Sequence, residues 1–223
     1  MVSEFIMSQL IFKFPFKTTY YENDFYVSSN NFEAYKLIEN WPKWPGKHVN
    51  IFGPKGCGKT HLSNILKKKM NASLIEAANF NNDSLKNFKS KDCLIIDNYN
   101  NNIDEKLLYS ILNQSKQLEN YILINSIITM KNMKINLKDL QSRLRSFLFI
   151  GIELPTDDLL KVIITKTFSD KQVNINPKVS EFIVNNVERS YEKMFKFLKD
   201  VDDLSLSTGK SININLIKKV LNQ

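Results

Sequence analysis

Residues 53–60 read Gly53, Pro54, Lys55, Gly56, Cys57, Gly58, Lys59 and Thr60, and no other stretch constrains the fold of this chain as strongly. Three of the chain's six glycines fall inside it. The spacing fits G-x-x-x-x-G-K-[ST], a loop whose glycines let backbone N–H groups converge on phosphate oxygens. In such a loop the lysine reaches the β- and γ-phosphates and the hydroxyl residue faces Mg²⁺. Those roles fall here to Lys59 and Thr60. The flanks supply the context the motif needs. His48, Val49, Asn50, Ile51 and Phe52 form a short apolar run suited to a buried strand, and Leu62, Ile65 and Leu66 come after it at helical spacing. A helix that starts at a glycine turn presents its N-terminus to a bound anion. A plain surface turn would need neither flank.

A second motif lies downstream. Cys93, Leu94, Ile95 and Ile96 lead into Asp97, four apolar residues closed by an acid at a strand end. Placed after a phosphate loop, this is the Walker B pattern, in which Asp97 holds Mg²⁺ through water beside Thr60. The next residue departs from the pattern of hydrolysing relatives, which carry an acid there. Asn98 cannot accept a proton from an attacking water. The expectation is a chain that binds nucleotide and hydrolyses it slowly by itself.

The alternation of strands and helices up to Pro155 predicts an α/β fold, a parallel sheet with crossover helices. Strands are expected at 48–52, 72–77, 92–97, 121–125 and 147–154. Helices are expected at 31–41, 104–118 and 137–145, with one or two helical turns within 79–90. From Thr156 on only helices are expected, at 156–169, 177–188, 190–204 and 213–222. The domain reading is an N-terminal tail (1–20), an α/β nucleotide-binding domain (21–155) and a small all-helical domain (156–223).

At 223 residues and 43% hydrophobic content the chain fits one domain, or one larger and one smaller domain, with a real core. No apolar run approaches the ~20 residues a membrane helix needs, and the first residues lack the pattern of a signal peptide. Two cysteines, Cys57 and Cys93, suggest a reducing cytoplasm and no disulfide framework. The net charge of +8 points weakly to an anionic partner such as DNA, because the lysines are scattered rather than clustered. Only Arg143, Arg145 and Arg189 are arginines among 31 basic residues. A planar, bidentate fork is retained where lysine would otherwise serve.

Gly58, Lys59, Thr60, His61 and Leu62, together with the helical appendage, resemble the AAA+ ATPases of the DnaA branch. The resemblance covers the whole chain. DnaA itself continues into a helix-turn-helix domain, which is not expected here, so the chain is most similar to the short Hda-type members. That resemblance implies roles for several residues. Gln9, Leu10, Phe12 and Phe14 look like a peptide that binds the DNA polymerase sliding clamp, an extended segment offering alternate apolar side chains to a groove. Arg143 resembles the arginine finger that reaches a neighbouring subunit's nucleotide, with Arg145 as second choice. Arg189 resembles the sensor 2 residue, at the start of a lid helix. Asn125 is either a turn asparagine or the sensor 1 polar residue. His61 adjoins the loop, and adenine contacts are expected somewhere in residues 25–28.

The ligands implied by the resemblance are ADP or ATP with Mg²⁺. The implied partners are the clamp and DnaA, with DNA reached indirectly through the clamp. A homodimer is compatible with the family's use of subunit interfaces. Rivals are an autonomous AAA+ ATPase such as a helicase loader, and a DNA-binding DnaA relative.

Overall fold

The computed structural model describes residues 22–222. The chain divides at Pro155 into two compact units. The first is α/β. After a 3-10 turn at Glu22–Asp24, helix α1 (Phe32–Glu39) leads through a tryptophan-proline segment to β1 (His48–Phe52), α2 (Lys59–Lys69) and β2 (Ala72–Glu76). Helix α3 (Asn82–Phe88), β3 (Cys93–Tyr99), α4 (Glu105–Leu118), β4 (Tyr121–Ser126), α5 (Lys138–Arg145) and β5 (Leu148–Gly151) complete it. Among the described residues every strand pairing is parallel, in the order β2-β3-β4-β1-β5. The central strands are buried almost throughout, as expected of a parallel sheet covered on both faces. Leu94, Ile96, Ile122 and Ile124 meet Phe88, Leu108, Ile111, Leu112, Leu140 and Leu144 in one continuous core.

Several boundaries differ from those read in the sequence, each for a local reason. Strand β5 was expected over 147–154 and ends at Gly151. Its neighbour, β1, stops at Phe52 where the glycine loop begins, and the last bond runs from the Ile152 N–H to the Phe52 carbonyl (2.7 Å). Beyond it Leu154 is exposed. Helix α1 ends at Glu39, short of Trp41 and Pro42. Residues 79–90 hold a defined helix because Asn81 and Ser84 form a reciprocal capping box. The buried face of α4 runs through Leu108, Ile111, Leu112 and Ser115, while Leu118 at its end faces solvent. Strand β3 passes two residues beyond Asp97, through an irregularity in its pairing with β4 between Ile96 and Tyr99.

The second unit holds α6 (Asp157–Ser169), α7 (Pro177–Asn186), α8 (Tyr191–Thr208) and α9 (Ile214–Leu221). Thr156, Asn176 and Asn213 cap α6, α7 and α9 with their side chains, and Pro177 opens α7 where its missing N–H is no loss. Gly209 terminates α8 at φ 62°, so that helix runs four residues past its expected end. Leu160, Ile164, Phe168, Ile183, Met194, Leu198, Val201 and Ile217 form its own core. Among the described residues no helix is long and apolar enough to cross a membrane.

Candidate functional site

The glycine loop joins the C-terminal end of β1 to the N-terminus of α2. Two of its glycines are required by close approach. A Cβ on Gly53 would stand 2.6 Å from the Ile152 carbonyl oxygen. One on Gly58 would stand 2.8 Å from the Phe25 ring, and Gly58 also has φ +99°, a conformation other residues adopt only with strain.

Lys59 is 6% exposed. Its ammonium donates to the carbonyls of Gly53 (2.8 Å) and Pro54 (2.9 Å) and approaches the Cys57 sulfur at 3.6 Å. A buried charge satisfied by neutral acceptors of its own loop would gain from an anion, since charge-assisted bonds are roughly twice as strong as neutral ones. The loop therefore fits a phosphate. Cys57 is buried, and burial pushes its thiol up against the opposing pull of the Lys59 cation. It remains a small neutral side chain.

Thr60 donates its hydroxyl to Asp97 Oδ2 at 2.7 Å. Asp97 is 3% exposed. Its other oxygen accepts from Asn125 Nδ2 (2.9 Å) and from the Asn98 backbone N–H (3.1 Å). Asn125 also donates to Ser63 Oγ at 2.7 Å, and its own Oδ1 is buried with no partner among the described residues. A hydroxyl and a carboxylate side by side are hard oxygen donors, the set that Mg²⁺ takes together with water and substrate phosphates. The unpartnered Asn125 oxygen is a further acceptor for a bound water. These residues fit a Mg–nucleotide site, in which Thr60 and Asp97 would hold the metal and its waters.

Of what surrounds this centre, the sequence reading bracketed residues 25–28 and His61 and missed Glu76. Phe25 packs on Gly58, stacks on Tyr35 (5.8 Å between centroids, 7° between planes) and meets the edge of His61 (5.4 Å). His61 is thus part of an aromatic wall beside the loop. Asn31 pins residues 26–28 by donating to the Tyr26 carbonyl (2.9 Å) and accepting from the Ser28 N–H (2.9 Å). Glu76, at the end of β2, accepts from Asn98 Nδ2 through both carboxylate oxygens, at 2.9 and 3.1 Å. Only the strand register, which sets Glu76 beside Asp97, could have revealed it.

Among the described residues neither Arg143 nor Arg145 bonds to this network, and Arg189 belongs to the helical unit. Arg143 sits on α5, half-buried, its guanidinium carbon 5.1 Å from the centroid of the Tyr109 ring on α4. Among the described residues no carboxylate pairs with it. Its helix lacks a side-chain cap of its own, and Glu105 of α4 supplies one by accepting from the N–H groups of Asn136 (2.9 Å) and Leu137 (2.7 Å). Arg145 is exposed. Arg189 belongs to the helical unit and bonds Asp157 Oδ2 at 3.0 Å, both side chains substantially exposed. It precedes α8 rather than beginning it, because Ser190 takes the extended N-cap position. Gln9, Leu10, Phe12 and Phe14 lie outside the described residues.

Comparison with known proteins agrees with this arrangement. Residues 157–221 match the family model for the lid domain of Hda. Residues 49–140 match a model described as RNA helicase. The chromosomal replication initiator protein DnaA of Buchnera aphidicola subsp. Cinara cedri is 26% identical over 216 residues, covering 86% of this chain and 49% of that protein. The chain thus spans about half the length of the curated relative it matches. Among solved structures, domain III of the Thermotoga maritima DnaA superposes with a TM-score of 0.73 at 19% identity, covering 94% of this chain and 98% of that one. A DnaA bound to AMPPCP and single-stranded DNA gives 0.67 at 21% identity, covering 82% and 64%. The structural likenesses establish the fold. Beyond the fold, the chain is similar to DnaA in sequence, and its residues 157–221 are similar to the Hda lid domain.

Proposed function

We propose that this chain is an Hda-like regulator of replication initiation in the cytoplasm. It binds an adenine nucleotide, ADP or ATP, with Mg²⁺ in the loop of residues 53–60. It docks on the sliding clamp through Gln9, Leu10, Phe12 and Phe14, and presents Arg143 to ATP held by DnaA. The resulting hydrolysis switches the initiator off. The observation that carries this reading is the Hda-type lid joined to a core whose phosphate loop is built but whose strand β3 carries Asn98 after Asp97. A core so equipped holds nucleotide to set conformation and assembly. Arg189 would contribute to the chain's own nucleotide as a lid residue, and its exposed pair with Asp157 is weak enough to exchange for a phosphate.

Arg143 suits a role in trans. It is held over an aromatic ring rather than neutralised by an acid, on a helix anchored by Glu105. An arginine supplied across an interface can be worth roughly 10³–10⁵ in rate. Stimulated hydrolysis of DnaA-bound ATP in the presence of clamp-loaded DNA tests the proposal, with Arg143→Ala and Gln9→Ala as the diagnostic variants. An autonomous ATPase would instead turn over rapidly alone.

A further inference from the structure

Strand β3 does not run straight through its acidic end. Its pairing with β4 slips between Ile96 and Tyr99, and Asn98 within that slip has φ 55°. Bulges of this kind re-aim side chains and are frequent beside active sites. Asn is among the few residues that accept the left-handed conformation readily. The result is that Asn98 turns its amide to β2, where its Nδ2 donates to both oxygens of Glu76 (2.9 and 3.1 Å). Glu76 stands in register with Asp97, and Asp97 bonds Thr60 of the phosphate loop. Position 98 therefore lacks a carboxylate but holds one, about 3 Å beyond its own side-chain nitrogen, through a bond that an ionised acid at 98 could not donate. Glu76 is exposed to solvent, so water can reach it.

We propose that Glu76 is the proton acceptor for this chain's own slow ATP hydrolysis, and that Asn98 positions it. The proposal rests on the reading of residues 53–60 as an ATP site. The water oxygen attacks the γ-phosphorus as its proton passes to the Glu76 carboxylate. The bond from the γ-phosphorus to the bridging oxygen breaks, and its electron pair leaves with ADP. Glu76 then returns the proton to solvent. The carboxylate in this arrangement is carried by β2 and the amide by β3.

Single-turnover hydrolysis of ATP by the full chain tests this, alongside ATP affinity by titration and with Lys59→Ala as the background. Glu76→Gln keeps the shape and an acceptor oxygen for Asn98 while removing the proton acceptor. It is expected to lower the rate constant by ~10²-fold, or to background, with affinity unchanged within about twofold. Glu76→Asp should fall between. Asn98→Ala should lower the rate constant by roughly tenfold, again without loss of affinity, which separates positioning from a structural role. A Glu76→Gln protein that hydrolyses at the wild-type rate overturns the proposal. So does a wild-type protein that binds ATP and releases no phosphate above background, or a Glu76→Gln loss that appears in affinity instead of rate. Failure of the wild-type protein to bind ATP would show in the titration and overturn the site reading itself.

Discussion

The side-chain amide of Asn125 donates to Asp97 Oδ1 at 2.9 Å and to Ser63 Oγ at 2.7 Å, while its own oxygen is buried without a partner among the described residues. One asparagine thus ties the end of β4 to the buried acid on β3 and to α2, and keeps an acceptor in reserve. Replacing Asn125 with Ala removes a donor from a buried carboxylate. The expected cost is about 1–3 kcal/mol, read as a lower urea midpoint. Asn125→Asp should cost more, because it sets a second carboxylate against Asp97.

Lys59 bonds to carbonyls of its own loop, so its role in the folded state is separable from its role toward ligand. Lys59→Ala is expected to abolish detectable nucleotide binding, measured by titration with a fluorescent ADP analogue. The circular dichroism spectrum should stay unchanged.

Gly58 combines a steric and a conformational demand. Gly58→Ala meets the Phe25 ring at 2.8 Å and holds a Cβ at φ +99°. The backbone strain alone is on the order of 1–3 kcal/mol. A Phe25→Ala, Gly58→Ala double variant should recover the steric part of the stability and none of the backbone part, which a double-mutant cycle in urea would separate.

His48 supplies a pH dependence. Its ring accepts or donates at Ser115 Oγ (2.9 Å) and lies against Phe147. Burial pulls its pKa below the usual 6.5, and the cations of Arg143 and Lys47 add to the shift. The unfolded chain then binds the proton more readily than the folded one. Stability is full above pH 6.5 and falls as the pH drops below that value towards the folded pKa. The urea midpoint should fall between about pH 7 and pH 5, and His48→Gln should remove that component. Arg143→Ala should make it shallower.

Cys57 and Cys93 are buried, and burial pushes both thiols up. Neither is expected to react with a thiol reagent in minutes near neutral pH in the native protein, while both should react at once in urea.

The order of strands and helices and the glycine turn between β1 and α2 were legible because they rest on near neighbours in the chain. Glycine spacing, an apolar run and a helical stripe each lie within a short window of residues. Asp97 and Thr60, 37 residues apart, were joined only by knowledge of how such motifs assemble, and the 2.7 Å bond between them agrees with it. Glu76 escaped notice because its importance comes from register with β3, and no local pattern distinguishes a strand-end acid that faces an amide from one that faces solvent. Phe25 was only loosely bracketed, since its place against Gly58 is a tertiary contact. The length of β5 was misjudged because a strand ends where its partner ends, and the partner here gives way to the glycine loop.

Hydrolysis in a partner's site is the activity on which the proposed function stands. The direct measurement is the rate at which ATP bound to DnaA becomes ADP when this chain and clamp-loaded DNA are added together. The proposal predicts a clamp-dependent acceleration that Arg143→Ala removes and Gln9→Ala weakens, with Arg145→Ala retaining most of it. No acceleration by the wild-type chain, or an undiminished one with Arg143→Ala, would contradict it.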